Sequence, residues 1–163
     1  MRPPMPTLPL IDPASLEALP LIADRTAILS RIKQRGRFAL LDGIVLQELE
    51  PARIVGYKDI RADDWWAADH IPGRPIFPGA LMCEAAAQLS TYDYVVRSQC
   101  PPETFLGFGG LDEVRFRGIV EPGVRMYFAA QPVRMRSRMF TYAAQGYVRG
   151  ELVFEAQIMG VIV

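Results

Sequence analysis

Histidine is almost absent from this chain: His70 is the only one in 163 residues. A multi-histidine metal centre is therefore excluded. Cysteine is nearly as scarce. Cys83 and Cys100 are too few for a disulfide framework, and with no Cys-x-x-Cys pair or Cys/His cluster there is nothing for zinc to bind. They read as reduced thiols, as expected of a cytoplasmic protein. Lysine is missing but for Lys33 and Lys58, so 16 of the 18 basic side chains are arginines. There is no excess of either sign, since 18 acids cancel 18 bases and the pI is near 6.6. That argues against a globally basic nucleic-acid binder. Long hydrophobic runs are also absent. Glu84 or a proline interrupts each of them short of the roughly 18–20 residues of a membrane span, and no signal peptide is visible.

What is present fits one domain with a sizeable core. Half of the residues are hydrophobic, 22% are charged and the mean hydropathy is +0.12. Four prolines fall between Met1 and Ile11, so residues 1–23 read as a proline-rich, partly helical extension and residues 24–163 as the domain proper. Asp12-Pro13 is placed to cap a short helix before Pro20. Asp24 is placed to cap a second, with Ile28, Leu29 and Ile32 on one face and Gly36 past its end. Phe38 to Leu49 and Arg53 to Ile60 have strand character, and Arg61 to Pro78 reads as a long irregular segment. A strong helix starts at Gly79 and runs to about Gln99; its first half is built from alanine, leucine and methionine and is apolar nearly all round, the mark of an enclosed helix. Five strands are then expected: Phe105–Phe108, Glu113–Ile119, Arg125–Val133, Phe140–Val148 and Leu152–Val161. The order points to an α+β domain with an antiparallel sheet wrapped around one helix.

Two side chains stand out chemically. Glu84 is the only charge between Gly79 and Tyr92, and a carboxylate on an enclosed helix must find hydrogen bonds or take up a proton. Gln88, one turn on, is placed to supply such a bond. His70 opens a segment stiffened by prolines, His70-Ile-Pro-Gly-Arg-Pro-Ile-Phe-Pro-Gly79, that runs straight into the helix. Pro78-Gly79 at the helix start leaves backbone N–H groups free to face a bound group. Charge is also segregated. Asp42 to His70 carries seven acids against three bases, and Glu113 to Gly150 carries seven arginines against two glutamates. The arginines read either as a solvated strand face or as a docking surface for an acidic partner.

The pattern His70-x-Pro-Gly-x-Pro-Ile-x-Pro-Gly-x-Leu-x-x-Glu84-Ala-x-Ala-Gln88 closely resembles the 3-hydroxyacyl-[acyl-carrier-protein] dehydratases of fatty-acid synthesis. Arg37-Phe38 through Glu50-Pro51, Gly110 through Arg117, Val120-x-Pro-Gly123 and Gly150 through Ala156 extend the likeness, so it covers roughly residues 37–163. The resemblance implies a hot-dog fold and an active site shared by two subunits of a homodimer, with His70 of one facing Glu84 of the other. Such dimers often assemble into trimers of dimers. It implies His70 as base, Glu84 as proton donor, the Gly79 N–H as thioester-oxygen binder and Gln88 as the residue orienting Glu84, with no metal, nucleotide or flavin cofactor. The partner it implies is acyl-carrier protein, which presents its cargo on phosphopantetheine. Arg115, Arg117, Arg134, Arg136 and Arg138 are the expected docking residues, with the last three on one face if that stretch is extended. Two positions depart from the family pattern: Asp69 stands where glycine is usual and Ile71 where phenylalanine is usual. The alternatives are a hot-dog thioesterase and a non-catalytic relative that binds acyl-carrier protein. The extension, residues 1–23, is expected to cap the acyl tunnel or widen the dimer interface. Trp65 and Trp66 are expected in the core or at that interface, and Cys83 is expected to pack rather than react.

Overall fold

Successive residues of a strand face opposite sides of its sheet, and here both sides carry apolar side chains. Ile54, Met126, Phe128 and Ala130 point to one face, while Val55, Tyr127 and Ala129 point to the other. Two covers are therefore needed. The computed structural model describes residues 7–163 and supplies both. Residues 1–6 of the proline-rich arm lie outside the described residues.

The sheet consists of β1 (Ala23–Asp24), β2 (Gly43–Leu49), β3 (Ala52–Ile60), β4 (Leu106–Phe116), β5 (Val124–Met135), β6 (Met139–Val148) and β7 (Glu151–Ile162). Every pairing is antiparallel, in the order β1-β2-β3-β5-β6-β7-β4. The inner face closes on helix α2 (Gly79–Arg97), and buried side chains from Leu81 to Val95 come from all sides of it. This is the sheet-around-helix arrangement of the hot-dog fold. Asp93, fully buried, pins the far end of α2. It accepts hydrogen bonds from Arg97, from the Tyr142 hydroxyl at 2.7 Å and from Gln47 at 2.8 Å. Burial, with Asp93 alongside, pushes the Tyr142 hydroxyl far up, so it stays a donor.

The outer face is covered by the extension. A 3-10 turn, Pro13–Ala18, is capped by the Asp12 carboxylate, as expected from Asp12-Pro13. Ile11 and Leu16 are buried among Val45, Val55, Tyr127, Ala129 and Tyr147. Gln145 clamps the segment, accepting from the Leu10 N–H at 2.8 Å and donating to the Leu8 carbonyl at 3.0 Å. The described part of the extension thus lies on the sheet face away from α2. Its Thr7 hydroxyl accepts a hydrogen bond from Arg117, just past the end of β4, at 3.4 Å.

Three boundaries differ from those read in the sequence. Helix α1 spans only Arg25–Leu29: Asp24 does cap it, but the Ser30 hydroxyl bonds back to the Ala27 carbonyl and the chain leaves the helix there. The strand expected from Phe38 starts at Gly43. Phe38 lies in a 3-10 turn, Gly36–Phe38, and the backbone polar groups of Phe38 and Leu40 go to Gln88 instead of a neighbouring strand. The two strands expected over 105–119 are one, β4, interrupted by register shifts at Phe108/Gly110 and Asp112/Arg115. Among the described residues no helix is long and apolar enough to cross a membrane.

Candidate active site

The segment from Arg61 to Pro78 has no regular structure of its own and is held by what its side chains bury. Trp66 and Phe77 are both buried, with ring centroids 5.3 Å apart, and the Phe77 N–H bonds to the Val120 carbonyl at 2.8 Å. Trp66 is thus a core residue, as expected, whereas Trp65 lies at the surface beside Phe38. Between these anchors His70 is fixed twice. Its N–H bonds to the Trp66 carbonyl at 2.9 Å, and its Nδ1 lies 2.8 Å from the Ile76 carbonyl oxygen. A carbonyl can only accept, so Nδ1 carries a proton, and in the neutral ring the lone pair is on Nε2. Asp69, the departure next to it, is exposed and forms no ion pair with the ring. The His70 side is solvent-exposed in the single chain.

Eight residues beyond Ile71 the backbone enters α2. Pro78 caps the helix with an extended backbone and no side-chain bond, and its carbonyl takes the N–H groups of Leu81 and Met82. The N–H groups of Gly79 and Ala80 have no acceptor within the helix. A Cβ at Gly79 would stand 2.7 Å from the Phe116 ring. The glycine is therefore set by the close approach of β4.

Glu84 follows on α2, half-buried, where it lines a cleft of about 30 Å³ with Gln34, Leu106, Phe108, Phe140 and Met159 among its walls. Its Oε1 accepts from Gln88 Nε2 at 2.9 Å. Gln88 is itself fully buried. Its Oε1 accepts from the Leu40 N–H at 3.1 Å, and its Nε2 also donates to the Phe38 carbonyl at 2.6 Å. An N–H on one side and two acceptors on the other allow a single orientation of the amide. The expected partnership of Gln88 with Glu84 is met. Cys83, the neighbour of Glu84, is buried, and burial pushes its thiol up, which suits packing and not nucleophilic attack.

The structure does not bring His70 and Glu84 together within one chain: His70 is not among the walls of the Glu84 cleft. The arginines are also dispersed. Arg117 is drawn to Glu155 at 2.7 Å, and Arg115 lies opposite Glu155 in the β4–β7 register. Arg134 is on β5, but residues 136–138 form the turn into β6, with the Arg136 N–H on the Met139 carbonyl. The stretch is not extended throughout, so Arg134, Arg136 and Arg138 do not form one strand face. They remain exposed at one hairpin tip. Sequence reasoning missed the Ile76 carbonyl, the two backbone groups that clamp Gln88, and Gln34. None carries a composition or spacing signal, because the first three are main-chain atoms and Gln34 lies in an irregular stretch.

A FabA-like domain family model matches residues 32–157. A bifunctional LpxC/FabZ enzyme of Chlorobaculum tepidum is 36% identical over 141 residues, covering 86% of this chain and 30% of that protein. A 3-hydroxyacyl-[acyl-carrier-protein] dehydratase FabZ of Campylobacter jejuni is 34% identical over 136 residues, 81% of this chain and 92% of its own length. Among solved structures, the dehydratase heterocomplex ApeI:P from Xenorhabdus doucetiae superposes with a TM-score of 0.71 at 9% identity, over 83% of this chain and 90% of that one. At that identity it supports the fold alone.

Proposed function

Because this chain belongs to the FabA-like family, we propose that it is a dehydratase of 3-hydroxyacyl thioesters carried by acyl-carrier protein, acting in fatty-acid or related lipid synthesis in the cytoplasm. The observation that carries the reading is a pair of fixed groups. One is an imidazole whose Nδ1 is tied to the Ile76 carbonyl, and the other is a carboxyl group tied to Gln88.

The chemistry follows from these groups. His70 Nε2 takes the C2 proton of the thioester, and negative charge grows on the thioester oxygen. The Gly79 N–H, at the positive end of α2, receives that charge. Protonated Glu84 gives its proton to the 3-hydroxyl, the C3–O bond breaks and water leaves as the C2=C3 bond forms. Proton exchange with solvent restores neutral His70 and protonated Glu84. Side chains and one backbone N–H suffice for every step, with no metal, nucleotide or flavin.

The site is completed by a second copy. β4 is a long edge strand with a free side, and edges of this length call for a partner. It exposes Phe108, Leu111 and Phe116, and the Glu84 cleft opens beside Leu106 and Phe108 of the same strand. Pairing through β4 would bring the His70 loop of one subunit toward Glu84 of the other, giving a homodimer that can assemble further. The exposed arginines of the β5–β6 hairpin, Arg134, Arg136 and Arg138, together with Arg115, suit an acidic carrier protein; Arg117 is engaged by Glu155 and contributes less.

Incubation with a 3-hydroxyacyl thioester tests the reading. Growth of enoyl-thioester absorbance without free thiol is expected. Thiol release without enoyl product would make the protein a thioesterase, and no change in either would leave only carrier-protein binding.

A further inference from the structure

The acyl tail of a substrate has a direction in this site. With the thioester oxygen on the Gly79 N–H and the 3-hydroxyl on Glu84, C4 and the carbons after it point onward along α2. Ala87 and Thr91 follow Glu84 on the same face of the helix at the next two turns, and all three line the cleft of about 30 Å³. Thr91 stands about 10 Å along the axis from Glu84, yet the cleft holds only about two or three groups the size of a water molecule. A methylene is of that size. The walls all belong to one chain, so a second copy can add to them and cannot remove them.

Phe140, stacked on Tyr94 one turn beyond Thr91, closes the far side, and this wall does not yield. The ring centroids of Phe140 and Tyr94 are 4.4 Å apart, Tyr142 stands edge-on at 5.5 Å, and Gly160 is the partner of Phe140 in the β6–β7 register. A Cβ at Gly160 would come within 2.0 Å of the Phe140 ring, so the ring occupies room that only glycine leaves. Met159, another wall, is flexible and can be pushed aside. Thr91 is an obstacle of a different kind. Its neighbour Ser90 turns its hydroxyl back to the Ala86 carbonyl at 2.8 Å. The Thr91 hydroxyl has no such partner among the described residues and is not shut off from solvent. A long apolar tail lying over it would strip its water and give no hydrogen bond in return, whereas a short tail leaves it wet.

We propose that the substrates of this protein are short 3-hydroxyacyl thioesters, of about four to six carbons, and that Phe140 and Thr91 set this limit. The inference rests on the dehydratase reading and deepens it by naming the acyl class. Each further methylene has to displace Phe140 from between Tyr94 and Gly160 or cover the Thr91 hydroxyl. One methylene more or less in an apolar pocket changes kcat/KM by about 10- to 200-fold.

The test compares enoyl formation by the full chain from the 3-hydroxybutyryl and 3-hydroxydecanoyl thioesters of pantetheine. Its readout is the ratio of the two kcat/KM values, which does not depend on how much of the protein is folded. The parent is expected to favour the shorter substrate by at least about 10-fold. Thr91→Val, which exchanges a hydroxyl for a methyl at a half-buried position, is expected to shift the ratio toward the longer substrate by about 3- to 10-fold. Phe140→Leu is expected to shift it the same way by about 10-fold or more, with a lowered unfolding midpoint because a core ring is lost; should that variant not fold, Thr91→Val decides. A parent that dehydrates both substrates equally well overturns the inference and leaves the dehydratase reading standing. So does an unchanged ratio in Thr91→Val or in a folded Phe140→Leu. Absence of enoyl product from either substrate in the parent means that the dehydratase reading itself fails, and the inference with it.

Discussion

Replacing Gln88 by methionine separates the clamp from the volume it fills. Methionine matches the length of glutamine and adds no charge, but it offers neither the Oε1 acceptor for the Leu40 N–H nor the Nε2 donors for the Phe38 carbonyl and Glu84. Gln88 is 0% exposed, so water does not replace what is lost. Two backbone groups left unpaired in the interior cost about 1–3 kcal/mol each. The apolar side chain offsets part of this, giving an expected loss of about 2–5 kcal/mol. For a domain of this size that lowers the unfolding midpoint by about 5–20 °C. Parent and variant must be compared at equal protomer concentration, because dimerisation stabilises by mass action. At a temperature where both are folded, kcat should fall about 10- to 100-fold with little change in KM, since Glu84 loses its orienting bond but the acyl site is untouched. Gln88→Glu gives a sharper signature. Its new carboxyl would sit beside Glu84 and the Phe38 carbonyl, so its folded-state pKa lies above the unfolded value of about 4.3. Stability is then lost as pH rises through that raised value and recovered as pH falls toward about 4. A Gln88→Met protein within about 1 kcal/mol of the parent would refute the idea that the clamp holds the Phe38–Leu40 segment to the helix.

Three other expectations can be checked directly. His70→Ala and Glu84→Gln should each lower turnover by about 10²–10⁴, and mixing the two under exchange should restore activity at about a quarter of the sites, the fraction in which random dimers pair an intact histidine with an intact glutamate; a mixture as inactive as its components would place both residues in one subunit's site. Reversing the charges of Arg134, Arg136 and Arg138 should raise KM for carrier-bound substrate and flatten its salt dependence while sparing a pantetheine thioester, and equal losses on both substrates would end the docking proposal. The Arg125 guanidinium, hydrogen-bonded to Asp59 at 2.6 and 3.1 Å, holds that carboxyl below its ordinary range against the opposing effect of burial; its contribution is present above about pH 4 and lost as pH falls through the lowered value, so Asp59→Asn should flatten the acid limb of the stability curve and an unchanged limb would refute the linkage.

The legible parts of this protein were those that local chemistry determines. The Asp12 and Asp24 caps, the start of α2 at Gly79 and the Gln88–Glu84 bond all follow from neighbours within a few residues. β4 was misread as two strands because its register shifts, with Glu113 in the left-handed region, mimic a turn. The late start of β2 was hidden for a different reason: Phe38 and Leu40 give their backbone bonds to a side chain some fifty residues away. The same holds for the site. The His70 and Glu84 side chains announced themselves by type and setting, whereas the Ile76 carbonyl that sets the imidazole tautomer belongs to a residue of no chemical distinction. The outer cover escaped because a proline-rich arm carries no periodicity to say what it lies upon.

That outer cover has a practical consequence. The family match begins at residue 32, and a protein trimmed to that boundary for expression would carry the whole catalytic apparatus and a bare apolar patch. Val45, Val55, Tyr127 and Tyr147 would be left facing water, contiguous and flat, the kind of surface that drives purified proteins to precipitate. The damage has an optical readout. In the intact fold burial pushes the Tyr147 phenol up to about 12; stripped of Ile11 and Leu16, it should ionise near the ordinary tyrosine value of about 10, and the ultraviolet titration of the trimmed protein would show one more tyrosine ionising early than that of the full-length chain. Covering this face is what the described part of the extension contributes.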